Sequence, residues 1–145
     1  FPKIAGMVKP GGQLAVQIPH NGWHIGHQLP AIIAREEPFA STLGGWTRQD
    51  PVRDPEFYMD MLYTQLGFRP QRVRTEWYTF EMESPRGIVE WVKGSVLSSY
   101  REHLPAELYP TYLETYEQRL LQEMGDTGPF LYPFKRILFW GRKPE

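Results

Sequence analysis

Met7-Val8-Lys9-Pro10-Gly11-Gly12-Gln13-Leu14-Ala15-Val16-Gln17-Ile18-Pro19-His20-Asn21 is the stretch on which the fold turns. Apolar residues at Phe1, Ile4, Ala5 and Val8 have helical spacing. Lys9 complements the last turn of that helix, and Pro10-Gly11-Gly12 ends it. Gln13–Ile18 then reads as a short buried strand, with Leu14, Val16 and Ile18 on one face. His20 and Asn21 open the loop that leaves its C-terminal end. In open α/β sheets that position is where ligands bind. The unit opens close to Phe1, which predicts that the chain is the later half of a larger domain.

Downstream, a helix is expected around Leu29–Glu37, stopped by Pro38, and a polar loop over Ser41–Arg53. Asp54-Pro55 pairs an N-cap with proline at the first helical position. Tyr58, Met61, Leu62 and Leu66 follow as an apolar stripe, and Gly67 ends the helix. Phe68–Met82 is rich in β-formers. Ser84-Pro85 repeats the helix-start signal before Ile88, Trp91, Val92, Ser95 and Val96. Pro105 opens a last helix to Met124, whose buried face is expected at Tyr109, Tyr112, Leu113, Tyr116, Leu120 and Leu121. A final strand covers Lys135–Arg142. The expected order is α-β-α-α-β-α-α-β.

The composition narrows the function classes. The 145 residues are 41% hydrophobic and carry a formal net charge of −1, which suits one globular domain. That balance gives no electrostatic reason to expect nucleic acid or an anionic membrane as partner. There is no cysteine, so disulfides and thiolate chemistry are excluded. No apolar run approaches the length of a membrane span and no signal peptide is visible, so a cytoplasmic location is expected.

The order of elements resembles the C-terminal half of a class I methyltransferase that uses S-adenosylmethionine, with the trans-aconitate 2-methyltransferases as the nearest subfamily. Leu14-Ala15-Val16-Gln17-Ile18-Pro19 after Lys9-Pro10-Gly11-Gly12 resembles that family's fifth strand. Phe57-Tyr58-Met59-Asp60-Met61-Leu62 through Leu66-Gly67-Phe68 resembles the helix and turn into its sixth. Ile88-Val89-Glu90-Trp91-Val92-Lys93-Gly94 resembles a helical cap between its last two strands, and Pro133–Phe139 its seventh strand. The resemblance implies an α/β fold: one parallel strand plus an antiparallel pair from a Rossmann-like sheet, with a helical substrate cap at about residues 84–125. It implies methyl transfer to a small carboxylate, with trans-aconitate as the named acceptor. A carboxylate is already deprotonated at neutral pH, so no general base is required, only alignment and exclusion of water. The family's S-adenosylmethionine site rests on segments that correspond to nothing after Phe1, so no cofactor-binding residue and no catalytic residue is assigned in this chain. An alternative is a non-catalytic module, derived from the cap, that binds a ligand or a partner chain.

Candidate site residues follow. His20 and Asn21 are assigned from their place at the strand end. Gln17 is a polar residue in a strand expected to be buried. It either hydrogen-bonds neighbouring backbone or lines a pocket. Trp91 and Arg136 are carried over from the resemblance, as substrate-binding residues. Arg86, Arg101 and Arg136 could each offer a guanidinium fork to a polycarboxylate. His20, His24 and His27 have the spacing H-x3-H-x2-H, but without cysteine and in a loop they are read as surface or pocket histidines, and no metal is assigned. Arg69, Arg72 and Arg74 with Trp77 and Tyr78 are read as a solvated strand edge beside Glu76, Glu81 and Glu83. Expected partners are a small carboxylate and the missing N-terminal half. A homodimer that covers the open edge of Gln13–Ile18 is also expected.

Overall fold

The computed structural model describes residues 1–145. The chain divides into two compact units: Phe1–His20, Pro51–Tyr78 and Phe134–Glu145 form the first, Asn21–Asp50 and Thr79–Pro133 the second.

The first unit holds α1 (Pro2–Met7), β1 (Gln13–Pro19) and α4 (Pro55–Asp60), which runs on as a π-helical segment, Met61–Gln65. It also holds most of the long strands β2 (Gln71–Met82) and β3 (Phe130–Arg142). The sheet order is β1-β3-β2, with the last strand in the middle. β1 and β3 pair antiparallel, with Leu14 opposite Gly141 and Pro19 opposite Arg136. β3 and β2 also run antiparallel: Arg142 meets Arg69 and Pro70 at one end, and Lys135 stacks over Trp77 at the other.

Strand alternation gives this sheet two faces. Leu14 and Ile137 share one with Phe139, and there they meet Ala5, Tyr58, Met61, Leu62 and Phe68 in a continuous apolar cluster. Gly141 is required at its edge, since a Cβ there would sit 2.8 Å from the Cβ of Phe68. The other face carries Ala15 and Gln17, both exposed. The expectation that Gln17 is a buried amide is therefore corrected. Only the Leu14 face of β1 is covered by helices.

The second unit is helical: α2 (Ile25–Ile33), α3 (Phe39–Leu43), α5 (Arg86–Lys93), α6 (Val96–His103) and α7 (Tyr109–Met124). The segment expected to form a cap, about residues 84–125, contains α5, α6 and α7. Ser84 accepts a hydrogen bond from the Arg86 amide at 3.2 Å, the capping role that Ser84-Pro85 suggested. α2 starts four residues before the expected Leu29. Its cap is His24, whose Nδ1 accepts from the Gly26 amide at 3.0 Å. Part of the expected Ser41–Arg53 loop is helical, because α3 reaches Leu43.

Pro30 lies inside α2 and has no N–H, so the Gly26 carbonyl loses its intrahelical donor. The Tyr116 hydroxyl replaces it, donating to Gly26 O at 2.8 Å. One turn earlier on α7, the Tyr112 hydroxyl donates to Pro30 O at 2.7 Å. Both rings are fully buried, with Leu120 on the same stripe. Burial raises the pKa of both tyrosines, which keeps them protonated as donors. Tyr116→Phe should leave the Gly26 carbonyl buried without a donor and cost about 1–3 kcal/mol. Urea unfolding measures this, and an unchanged midpoint would refute it.

Candidate functional site

The C-terminal end of β1 gathers the first group of candidates. Pro19 faces Arg136 across the ladder, and the His20 amide donates to Lys135 O at 2.8 Å. His20 and Arg136 therefore share one end of the sheet. The His20 Nε2 lies 3.5 Å from an Asp54 carboxylate oxygen. Asp54 stands at the N-cap of α4 as expected, but its side chain caps no amide. The His20 Nδ1 is buried and has no hydrogen-bond partner, which leaves one polar atom to be met by water or a ligand.

Arg136 is half-buried. Its guanidinium lies 5.4 Å from the Tyr78 ring centre and 5.0 Å from that of Phe134, and it pairs with no carboxylate. Aromatic faces hold the cation without neutralising it. Arg86, by contrast, is spent on Glu117 and Asp126. Arg101 is exposed on α6. Arg101 and Arg136 both keep an unpaired fork, and of these two only Arg136 is partly buried. By alternation Gln17 and Arg136 lie on the same sheet face, while His20 is engaged with Asp54.

Asn21 and Trp91 belong to the second unit. Asn21 is buried, and its carbonyl accepts from the His24 amide at 2.9 Å. Trp91 is 40% exposed, with its ring against Phe80 at 5.2 Å and edge-on to Tyr132 at 5.9 Å. Nearby, the His27 Nε2 lies 3.2 Å from the Tyr132 hydroxyl, and the His24 ring meets Tyr132 edge-on at 5.0 Å. Burial pushes the His27 imidazole down to about 4, with His24 adding to the effect and Asp50 opposing it. Burial also lowers His24 and pushes Tyr132 up to about 12. At neutral pH this group is uncharged and offers hydrogen bonds only.

The His27–Tyr132 pair was not singled out from the sequence. The three-residue spacing of His24 and His27 was visible, but their partner lies more than a hundred residues on. No group of three His, Asp or Glu side chains is placed to hold a metal ion.

The glycines do not form a cofactor cradle. The Gly11 amide donates to Lys143 O at 3.0 Å and the Gly12 amide to Lys9 O at 2.9 Å, so both serve the turn into β1. Gly44, at φ 58°, caps α3 in the left-handed region. None opens a helix after a strand, as a nucleotide-type loop requires. The residues present therefore do not fit S-adenosylmethionine.

Comparison with known proteins supplies the wider context. A trans-aconitate 2-methyltransferase of Deinococcus radiodurans is 33% identical over 95% of this chain, which matches 54% of that protein. Those of Variovorax paradoxus (32% identical) and Sinorhizobium fredii (34%) match 99% and 93% of the chain, over 56% and 53% of their own lengths. The chain is homologous to part of the trans-aconitate 2-methyltransferases. It spans about half the length of these relatives. No protein-family model matches it. No helix is long and apolar enough to cross a membrane.

Proposed function

We propose that the chain is the C-terminal portion of an S-adenosylmethionine-dependent methyltransferase that acts on a small carboxylate, with trans-aconitate the acceptor named for its relatives. In this reading β1 is the last parallel strand of a longer Rossmann-like sheet, and β3 with β2 is the antiparallel pair that closes it. The rest of the protein holds the cofactor. This chain supplies the acceptor side; the candidates are Gln17, His20 and Arg136 in the first unit and, separately, Asn21 and Trp91 in the second. The protein works in the cytoplasm. Taken alone, the chain forms a homodimer through the free edge of β1, which light scattering would register.

The observation that carries the acceptor assignment is the Arg136 guanidinium, which is half-buried, held by two aromatic rings and unpaired. A carboxylate would neutralise it with a bidentate pair. The orphaned Nδ1 of His20, at the same strand end, supplies a further hydrogen bond.

The test is Arg136→Gln in the whole protein. Losing a partly buried charge-assisted pair costs about 2–4 kcal/mol, or roughly 30- to 1,000-fold in kcat/KM for the carboxylate. Cofactor affinity should not change. Equal kcat/KM for variant and parent would remove Arg136 from the site.

A further inference from the structure

We infer that the outer edge of β2 is a contact surface for a second copy of this chain, paired antiparallel about a twofold axis at Thr75. β2 pairs with β3 alone, so its other edge ends the sheet. The Arg142 amide donates to Pro70 O at 2.9 Å, and Lys135 stacks over Trp77. Arg142 to Lys135 and Pro70 to Trp77 are equal steps along the two strands, so the ladder between them has no bulge. Alternation then turns the backbone groups of Arg72, Arg74 and Glu76 towards β3 and those of Gln71, Val73 and Thr75 outwards. No backbone group of another element bonds these three.

An exposed edge is normally guarded by proline, lysine, a bulge or charges that repel a neighbour. Gln71–Met82 has no proline, no glycine and no lysine. Its central charges, Arg74 and Glu76, have opposite sign, so they do not repel every copy.

Those charges select the register. An axis at Arg74 or at Glu76 sets like charges face to face, and one at Val73 sets Arg72 against Arg74. An axis at Trp77 gives neither arginine a carboxylate. With the axis at Thr75, Arg74 stands opposite the partner's Glu76, and Glu76 opposite the partner's Arg74. Within one strand Arg74 already pairs with Glu76 at 3.0 Å. The four groups therefore form a square with opposite charges along every side. On the other face Val73 meets the partner's Trp77, a β-branched residue against an aromatic ring that is 59% exposed in the single chain. The two outward-facing strand edges satisfy each other, as an isologous contact requires.

This contact extends the sheet beyond β2 and covers neither Gln17 on β1 nor Arg136 on β3. It lies at the opposite side of the sheet from the free edge of β1, and neither the acceptor nor the cofactor enters the argument. Two paired strands make a small interface, so the association is reversible and depends on concentration.

The chain has no cysteine, so Thr75→Cys places a single thiol at the axis. Directly opposed Cβ atoms in an antiparallel pair lie about 4.5–5.5 Å apart, within reach of a short bismaleimide. Cross-linked dimer should increase with concentration, and Gln122→Cys, exposed on α7, should give at least about 10-fold less. In the Thr75→Cys background, Arg74→Glu or Glu76→Arg should each lower the yield roughly 10-fold, because both opposite-charge pairs become like-charge pairs. Mixing these two variants, or combining both substitutions in one chain, should restore it. Restoration also shows that the single variants fold. Association through the edge of β1 leaves the two Thr75 positions far apart and does not mimic the result. A Thr75→Cys yield no higher than that of Gln122→Cys at about 200 µM would overturn the inference. So would a yield that ignores both reversals, or one that neither the mixture nor the double substitution restores.

Discussion

Acidification from pH 7 to pH 4 should destabilise the chain by up to about 3 kcal/mol through His27 alone, and His27→Gln should remove that part of the loss. The folded imidazole is pushed from 6.5 down to about 4, mainly by burial. Its folded pKa lies below its unfolded one, so between these values the unfolded chain binds more protons. Stability from this source is complete above about pH 6.5. It falls as the pH drops through about 4 and levels off below that. His24 is lowered by burial too and acts in the same direction. Glutamine keeps a polar tip that can reach the Tyr132 hydroxyl but does not titrate. Urea midpoints of parent and variant at half-unit pH steps from 7.5 to 4 make the comparison. The difference between the two curves should open between pH 6.5 and 4. Parallel curves would mean that His27 is protonated in the fold as easily as in water.

The same pair shows what the sequence could and could not reveal. His24 and His27 were visible as a spacing, but their roles depend on groups that no local pattern contains. His24 is an N-cap, and histidine is not among the residues that announce one. With Gly26 and Pro30 inside it, α2 also looks broken as a string of letters. It survives because Tyr116, on a different helix, satisfies the Gly26 carbonyl, while Tyr112 adds a second donor to the Pro30 carbonyl beside the Ala34 amide. The tyrosine stripe itself was legible, since helical spacing of large rings marks a buried face. Tyr112 and Tyr116 are indeed fully buried.

Turn chemistry was the most readable signal. Pro10-Gly11-Gly12 ends α1 and starts β1 where expected, with Gly11 at φ 70°. Asp54-Pro55 and Gly67 bracket the next helical run, although its second half is π-helical. The break between α5 and α6 at Gly94-Ser95 was missed, because the apolar spacing runs through it. The placement of the last strand at the centre of the sheet came from the resemblance, and periodicity alone could not have provided it. Gln17 failed for a related reason. Alternation placed it opposite the Leu14 face, but burial of that second face depends on what covers it, and no helix of the first unit does.

S-adenosylmethionine should show no saturable binding to this chain, even at about 1 mM, whereas the full-length protein should bind it. A micromolar dissociation constant needs about −8 kcal/mol, and sites of that quality bury roughly 70–90% of a ligand of this size. The chain offers nothing of the kind. A nucleoside site of this type needs free backbone N–H groups at a glycine-rich turn that leads into a helix. Here the amides of Gly11, Gly12, Gly44 and Gly45 already donate to Lys143, Lys9, Ser41 and Ala40. To recruit them, the ligand would have to break the turn into β1 or the end of α3. The candidates at the end of β1, Arg136 and His20, suit an anion, whereas the reacting sulfonium of this cofactor is a cation. A cation beside an unpaired guanidinium is repelled, and two rings do not screen it fully. Attraction is therefore confined to the cofactor's carboxylate tail, a single anchor that cannot offset the entropy lost on binding. Isothermal titration calorimetry of the isolated chain settles the matter. Saturable heat with a micromolar constant would place the cofactor site within these 145 residues and overturn the division of labour proposed above.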